Sequence, residues 1–206
     1  MEEQKRYHHG DLRGALIRAA LEILDTEGLS ALSLRAAAAR AGVSHAAPKH
    51  HFGNMQGLVG AVIAHGYRRL DAMMSEDRAE SSADLVEQVR ASHRAYALFA
   101  IENPALFRLI FSRTHFDFGD EGLRGTVVSA NQHLESLSRA IAAAVGATGD
   151  QDWRRIATAI WTSAHGYAHL VIDGRMSRAG EREPYPPPDI GRVLFEGFAR
   201  GASVDA

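Results

Sequence analysis

The sequence predicts an all-α fold of about nine helices, a small three-helix domain followed by a larger helical one. Apolar residues recur at helical spacing through most of the chain, no stretch alternates convincingly enough to read as a strand, and Gly, Pro, Ser or Asp stand where the periodic segments end. The 206 residues are 46% hydrophobic and 23% charged, enough apolar material for a packed core and too much for disorder.

Leu12, Ala15, Leu16, Ala19, Ala20, Ile23 and Leu24 form one apolar stripe. Asp11 is placed to cap its start and Gly28 to end it in a left-handed conformation. Ser33 caps a second helix, "LRAAAARA", that ends at Gly42, and Ser44 is placed to cap a third. A longer helix is expected from about 56 to 69 with Leu58, Val62, Ile63 and Tyr67 inward. The segment 82–103 reads as a helix stopping before Pro104, and "PALFRLIF" as a short helix with proline at its first position, where the missing N–H costs nothing. Residues 112–122 read as a loop, 123–145 as helix, 146–150 as a turn, 152–175 as helix, the proline-rich "GEREPYPPPD" as a spacer, and 190–200 as a closing helix. There is no internal repeat.

The net charge of −2 excludes a globally basic nucleic-acid binder but leaves room for a locally basic surface. Without cysteine there are no disulfides, thiolate zinc sites or thiol sensors. No apolar run has the roughly 18 residues of a membrane span, and the N-terminus lacks a signal-peptide pattern, so a cytoplasmic location and no membrane partner are expected. No cofactor, metal site or catalytic residue is expected. There is no nucleophile elbow, phosphate loop or paired-carboxylate spacing, and Asp117, Asp120 and Glu121 do not have the spacing of a calcium loop.

A helix, a sharp turn at Gly42 and a short helix form a helix-turn-helix pattern. Ala38 is small where two helices cross, and Val43 fills the space beneath the turn. The second helix of such a motif lies in the major groove with its first residues at base edges. Here those are Ser44, His45 and Ala46, with Lys49 and His50 following within a turn. Lys5, Arg6 and Arg35 are the further candidates for phosphate contact. Charge alone does not carry this reading, since residues 1–50 hold seven Lys/Arg against six Asp/Glu.

Residues 8–67 resemble the DNA-binding domain of the TetR family of bacterial transcriptional repressors, on "AALEILDTEGLSALSLRAAAARAGVS" and "HFGNMQGLVGAV". His51 and Phe52 match the His-Phe pair that family carries at the end of its recognition helix. "WTSAHGYAHLVIDGR" resembles a Trp-x-x-x-His-Gly motif of one branch, carried by Trp161, His165 and Gly166. The sequence departs from the family pattern at Pro48-Lys49, where Leu-Tyr is usual, and at Met55, where a lysine is frequent. Pro48 can still fill an apolar position but removes a backbone hydrogen bond, and Lys49 can replace the tyrosine electrostatically.

The resemblance implies residues 1–55 as a DNA-binding domain and 56–206 as an effector-binding and dimerisation domain. It implies double-stranded DNA with a near-palindromic operator, a small-molecule effector of unknown identity, and a homodimer through the last two helices. Repression relieved by the effector is the leading expectation. A helical interaction protein with degenerate DNA binding, and an enzyme, are the alternatives. His93, Phe99, Phe107, Phe111, His133, Trp161 and His165 are the candidate ligand-binding residues, because aromatics are plentiful in the second half and these histidines sit on apolar stripes. The stripe Trp153, Ile156, Ala157, Ile160, Trp161, Ala164, His165 and Ala168 is expected to be mostly core, and "YAHLVI" to be covered on two sides.

Overall fold

A computed structural model describes residues 11–80, 84–112, 121–147, 149, 151–176 and 186–201. Among them are nine α-helices and no strand: α1 (Leu12–Glu27), α2 (Leu34–Ala41), α3 (Ala47–Phe52), α4 (Met55–Glu80), α5 (Leu85–Glu102), α6 (Pro104–Ile110), α7 (Glu121–Ala144), α8 (Asp152–Ile172) and α9 (Ile190–Gly201). A single 3-10 turn, Leu29–Ala31, joins α1 to α2. The chain divides into two compact units, residues 1–66 with 105–123, and 67–104 with 124–206. The helix α4 runs through the first division point.

In the first unit, Leu16, Ile17, Ala19, Ala20, Ile23 and Leu24 are the buried face of α1. Asp11 accepts from the Gly14 N–H at 3.0 Å and caps it. Gly28 ends it at φ 83°, ψ 173°, a positive φ with an extended rather than a left-handed-helical ψ. Ser33 caps α2 by accepting from Ala36 N–H at 3.0 Å. Ala37, Ala38 and Ala41 are buried, so the alanine run gives a thin helix that neighbours can approach closely. Gly42 takes the left-handed conformation (φ 67°, ψ 31°), its N–H bonds to Ala39 O, and Val43 N–H to Ala38 O. These two bonds satisfy the last carbonyls of α2 and set the turn. Arg40 then ties α2 to α1 through Glu22 at 3.4 Å and through Glu27.

The helix α4 is longer than the stretch 56–69 that the apolar spacing marks, because its second half carries no simple apolar stripe. Leu58, Val62, Ile63 and Tyr67 are buried as expected. At Gly66 an added Cβ would lie 2.7 Å from Ile110 Cγ2 and 3.1 Å from Leu106 Cδ1, both on buried side chains of α6. Gly66→Ala would gain about 1 kcal/mol in helix propensity and lose about 1–3 kcal/mol to overpacking. A net destabilisation of about 1 kcal/mol is expected, read as a lower urea midpoint at unchanged slope.

In the second unit, α5 packs on α8 and α9. Val89, Leu137, Ile141, Ala142, Ile156 and Ile160 form a core cluster to which Leu85, Leu134, Trp153, Ile190, Leu194 and Phe195 add partly buried surface. Asp84 caps α5 by accepting from Val86 N–H at 2.9 Å. Arg90 pairs with Glu87 and with Asp189, joining α5 to the start of α9. The helix α8 stops at Ile172, before the expected end at 175, because Gly174 at φ 68° closes it with bonds to Val171 O and from Arg175 N–H to Leu170 O.

The stripe on α8 is rotated from the expected one. Ile156, Ile160, Ala164, Tyr167 and Ala168 are buried, whereas Trp161 is 45% and Leu170 42% exposed. Trp161 is therefore not core in this chain, and one side of "YAHLVI" is uncovered. Much of the loop expected at 112–122 and of the proline-rich spacer lies outside the described residues.

Candidate nucleic-acid interface and effector site

The turn at Gly42 and the burial of Pro48 fix α3 against α1 and α2. Ser44 does not cap it. The residue before the helix is Ala46, at φ −80°, ψ −24°, with no side-chain cap, and Ser44 instead accepts the Ala47 N–H through its carbonyl at 3.0 Å. Pro48 sits in the first turn, where its missing N–H would have no intrahelical partner in any case. The Lys49 carbonyl then receives Gly53 N–H at 2.9 Å to close the helix.

Ser44, His45, Ala46, Lys49 and His50 are all exposed along this turn and helix, and Arg35 is exposed in the first turn of α2. Lys5 and Arg6 lie outside the described residues. Arg13 stands over the Phe52 ring at 5.4 Å, a cation–π contact that holds a positive charge beside the end of α3. Sequence reading gave Arg13 no role, because the contact joins residues far apart in the chain. Arg40 is engaged by two carboxylates.

The ligand candidates fall into separate environments. Phe107 is fully buried in the first unit with its ring 5.0 Å from that of Phe111. Phe99 is fully buried in the second unit. His133 is buried, and its Nε2 is 3.1 Å from Ser92 Oγ. Because that hydroxyl spends its one proton on Gln88 O at 2.9 Å, His133 Nε2–H is the donor to it. His93, 3% exposed, has its Nε2 3.1 Å from Ile160 O, which makes Nε2 the protonated nitrogen. His165 is half-buried, with Tyr96 Oη 2.8 Å from its Nδ1 and the Trp161 and His169 rings at 5.4 and 4.6 Å.

A groove of about 540 Å³ opens elsewhere in this unit, lined by Met73, Glu76, Arg94, Ala95, Ala97, Leu98, Ile101 and Pro187. None of the seven expected ligand residues lines it. Leu98 and Ile101 are 48% and 47% exposed there. Three distant segments build it, so no local spacing signals it. Among the described residues no three His, Cys, Asp or Glu side chains cluster to hold a metal ion, and no helix is long and apolar enough to cross a membrane.

Burial pushes the pKa of His93 down, against the opposing pull of the Ile160 and Pro188 carbonyls and of Asp189. Burial, and then the neighbouring His169, push that of His165 down. For both rings the folded state takes up its proton at lower pH than the unfolded chain, which does so near 6.5. Between those values the unfolded state binds more protons, so stability falls as pH falls. The melting temperature is expected to be level above about pH 7 and to drop as pH passes below about 6.5. His93→Gln should shrink the pH-dependent part of that drop.

The sharp turn at Gly42 between α2 and an exposed, packed α3 defines a helix-turn-helix protein. Two family profiles match: bacterial regulatory proteins of the TetR family over residues 16–62, and the tetracycline-repressor-like C-terminal domain over 89–185. The chain belongs to the TetR family of helix-turn-helix transcriptional regulators. It is 32% identical over 83 residues to a helix-turn-helix-type transcriptional repressor of Mycobacterium tuberculosis, covering 40% of this chain and 43% of that one. It is 39% identical over 70 residues to the regulator BetI of Burkholderia thailandensis, covering 34% and 36%. The chain thus spans less than half the length of these curated relatives. A solved structure of a Rhodococcus protein of unknown function is 30% identical, with a TM-score of 0.77, over 96% of this chain and 98% of that one. The fold is also that of PfmR, a TetR family regulator of Thermus thermophilus, at 19% identity, TM-score 0.59 and coverage of 90% and 97%.

Proposed function

We propose that the chain is a ligand-responsive DNA-binding transcriptional regulator that acts as a homodimer on a near-palindromic operator and is released by a small molecule. The observation that carries this reading is the exposed strip Ser44, His45, Ala46, Lys49 and His50 on a helix held by a packed three-helix head, with Arg35 exposed on α2. Base edges would meet His45 and Ala46, whose small neighbours permit close approach. Lys49, His50 and Arg35, with Lys5 and Arg6, would meet phosphates. The Trp161, His165 and Gly166 pattern supports placing the chain in the Trp-x-x-x-His-Gly branch.

A dimer through α8 and α9 is supported by the exposure of Trp161, Leu170 and, at 61%, Val193. Gly166 and Gly197, both exposed inside these helices, have nothing within 4 Å of where a Cβ would stand, which admits a closely approaching helix. Val193→Glu is expected to leave the monomer folded and shift the protein from dimer to monomer by light scattering. A dimer unchanged by this substitution would place the interface elsewhere.

We assign effector binding to the second unit. The open groove, and the cluster of Tyr96, Trp161 and His165, are two places among the described residues where a small molecule can find apolar surface beside hydrogen-bonding atoms. The helix α4 has residues in both units, and an effector would bear on its second half. The ordinary coupling between such sites is about 1–3 kcal/mol.

The test is binding of the purified protein to DNA from upstream of its own gene at two salt concentrations, against random duplex. Preferential binding that weakens with salt supports the regulator reading. Binding no better than to random DNA, there and in a selection over genomic fragments, would overturn it in favour of a helical interaction protein.

A further inference from the structure

Only Gly53 and Asn54 separate α3 from α4. Gly53 takes φ 72°, ψ −60°, and the Asn54 N–H bonds across it to Phe52 O at 2.8 Å, the strained, positive-φ form of the γ-turn. Asn54 then caps α4: its Oδ1 accepts from the Gly57 N–H at 2.9 Å, and its carbonyl receives the Leu58 N–H at 3.2 Å. The first turn of α4 is thereby folded back on the end of α3. A Cβ at Gly57 would overlap the Phe52 carbonyl oxygen and stand 3.0 Å from its carbonyl carbon. Both are backbone atoms, so no change of rotamer makes room. The ring of the same Phe52 carries the Arg13 guanidinium of α1 at 5.4 Å. The end of α3 is thus held at Phe52 through carbonyl and ring, as the buried Pro48 holds its beginning.

We propose that Gly57 is a positioning residue for DNA reading: it lets α4 rest on the Phe52 carbonyl and so fixes the pose in which α3 presents the strip from Ser44 to His50. A methyl group at 57 displaces that carbonyl, and a joint of two residues, one already in a γ-turn, is too short to absorb the movement. The displacement therefore passes into α3. Helix propensity alone favours alanine over glycine inside a helix, so what Gly57→Ala loses comes from the joint. The functional half of the proposal rests on the regulator reading, whereas the pose of α3 can be read with no DNA present.

The experiment compares full-length wild type, Gly57→Ala and Gly66→Ala, the last being the same substitution in the same helix against side chains of α6 instead of backbone. Circular dichroism verifies folding, nitrogen–proton NMR follows the amide signals of α3 and its joint, and DNA binding is measured to the genomic fragment the wild type selects and to random duplex. Gly57→Ala should stay folded, move the signals from Lys49 to Asn54, and lose preference for the selected fragment by about tenfold, the size of one lost base contact. Gly66→Ala should lower stability and leave both the preference and these signals in place. Unmoved signals, or an unchanged preference, in a folded Gly57→Ala would overturn the proposal. So would a Gly57→Ala chain that does not fold beside a folded Gly66→Ala, which would make the glycine structural. Displaced α3 signals in a protein whose wild type prefers no fragment would sink the regulator reading and leave the joint standing.

Discussion

Phe99→Ala is expected to destabilise the protein by about 3–5 kcal/mol, the range for truncating a fully buried phenylalanine. Phe99 is 0% exposed in the middle of α5. Its carbonyl also receives the N–H of Asn103, at 3.0 Å, and the Asn103 side-chain amide, at 2.9 Å, which together close the helix. The loss is a large part of the roughly 5–15 kcal/mol that separates folded from unfolded domains. Urea denaturation would show it as a lower midpoint at unchanged slope. A cost under about 1 kcal/mol would mean that the site collapses around the void or already adjoins one, and would make Phe99 a pocket wall rather than core.

The second large effect is expected at Lys49. Lys49→Glu should weaken binding to operator and random DNA alike, since a phosphate contact carries no sequence information. Lys49→Ala should reduce the steepness of the salt dependence by about one per protomer, or about two for a dimer. His45→Ala should instead relax preference at one base position in each half-site while leaving the salt slope nearly unchanged. Equal loss of affinity and unchanged selectivity in both variants would remove His45 from the base-reading role.

The helices were largely legible because each has a local signature. Asp11 and Ser33 announce starts, Gly28 and Gly42 announce stops, and Pro104 opens α6. What was not legible depended on distance or on faces. The length of α4 was missed because Asp71, Glu76, Asp77, Arg78 and Glu80 interrupt the apolar stripe that marks a helix. Ser44 looked like a cap by position, but the turn carries Ala46 into helical angles first. Trp161 and Ile160 are adjacent on one stripe, and only packing decides which is covered: Ile160 is 3% exposed and Trp161 45%. The residues proposed to meet DNA on α3 and the turn before it, Ser44 to His50, lie within seven positions of sequence and so were readable together. The groove joins Met73, Arg94, Leu98 and Pro187 and had no such signal.

The helix α3 has only six residues, opens with no side-chain cap and contains a proline. Isolated helices shorter than about 12–15 residues are marginal in water, so this one has no shape of its own to fall back on. Its form is borrowed from α1 and α2 through the buried Pro48 and the closed end of α2. The surface that would touch DNA therefore cannot soften gradually. On warming, it should vanish together with the head that holds it, and gene control would be lost as abruptly as the fold melts.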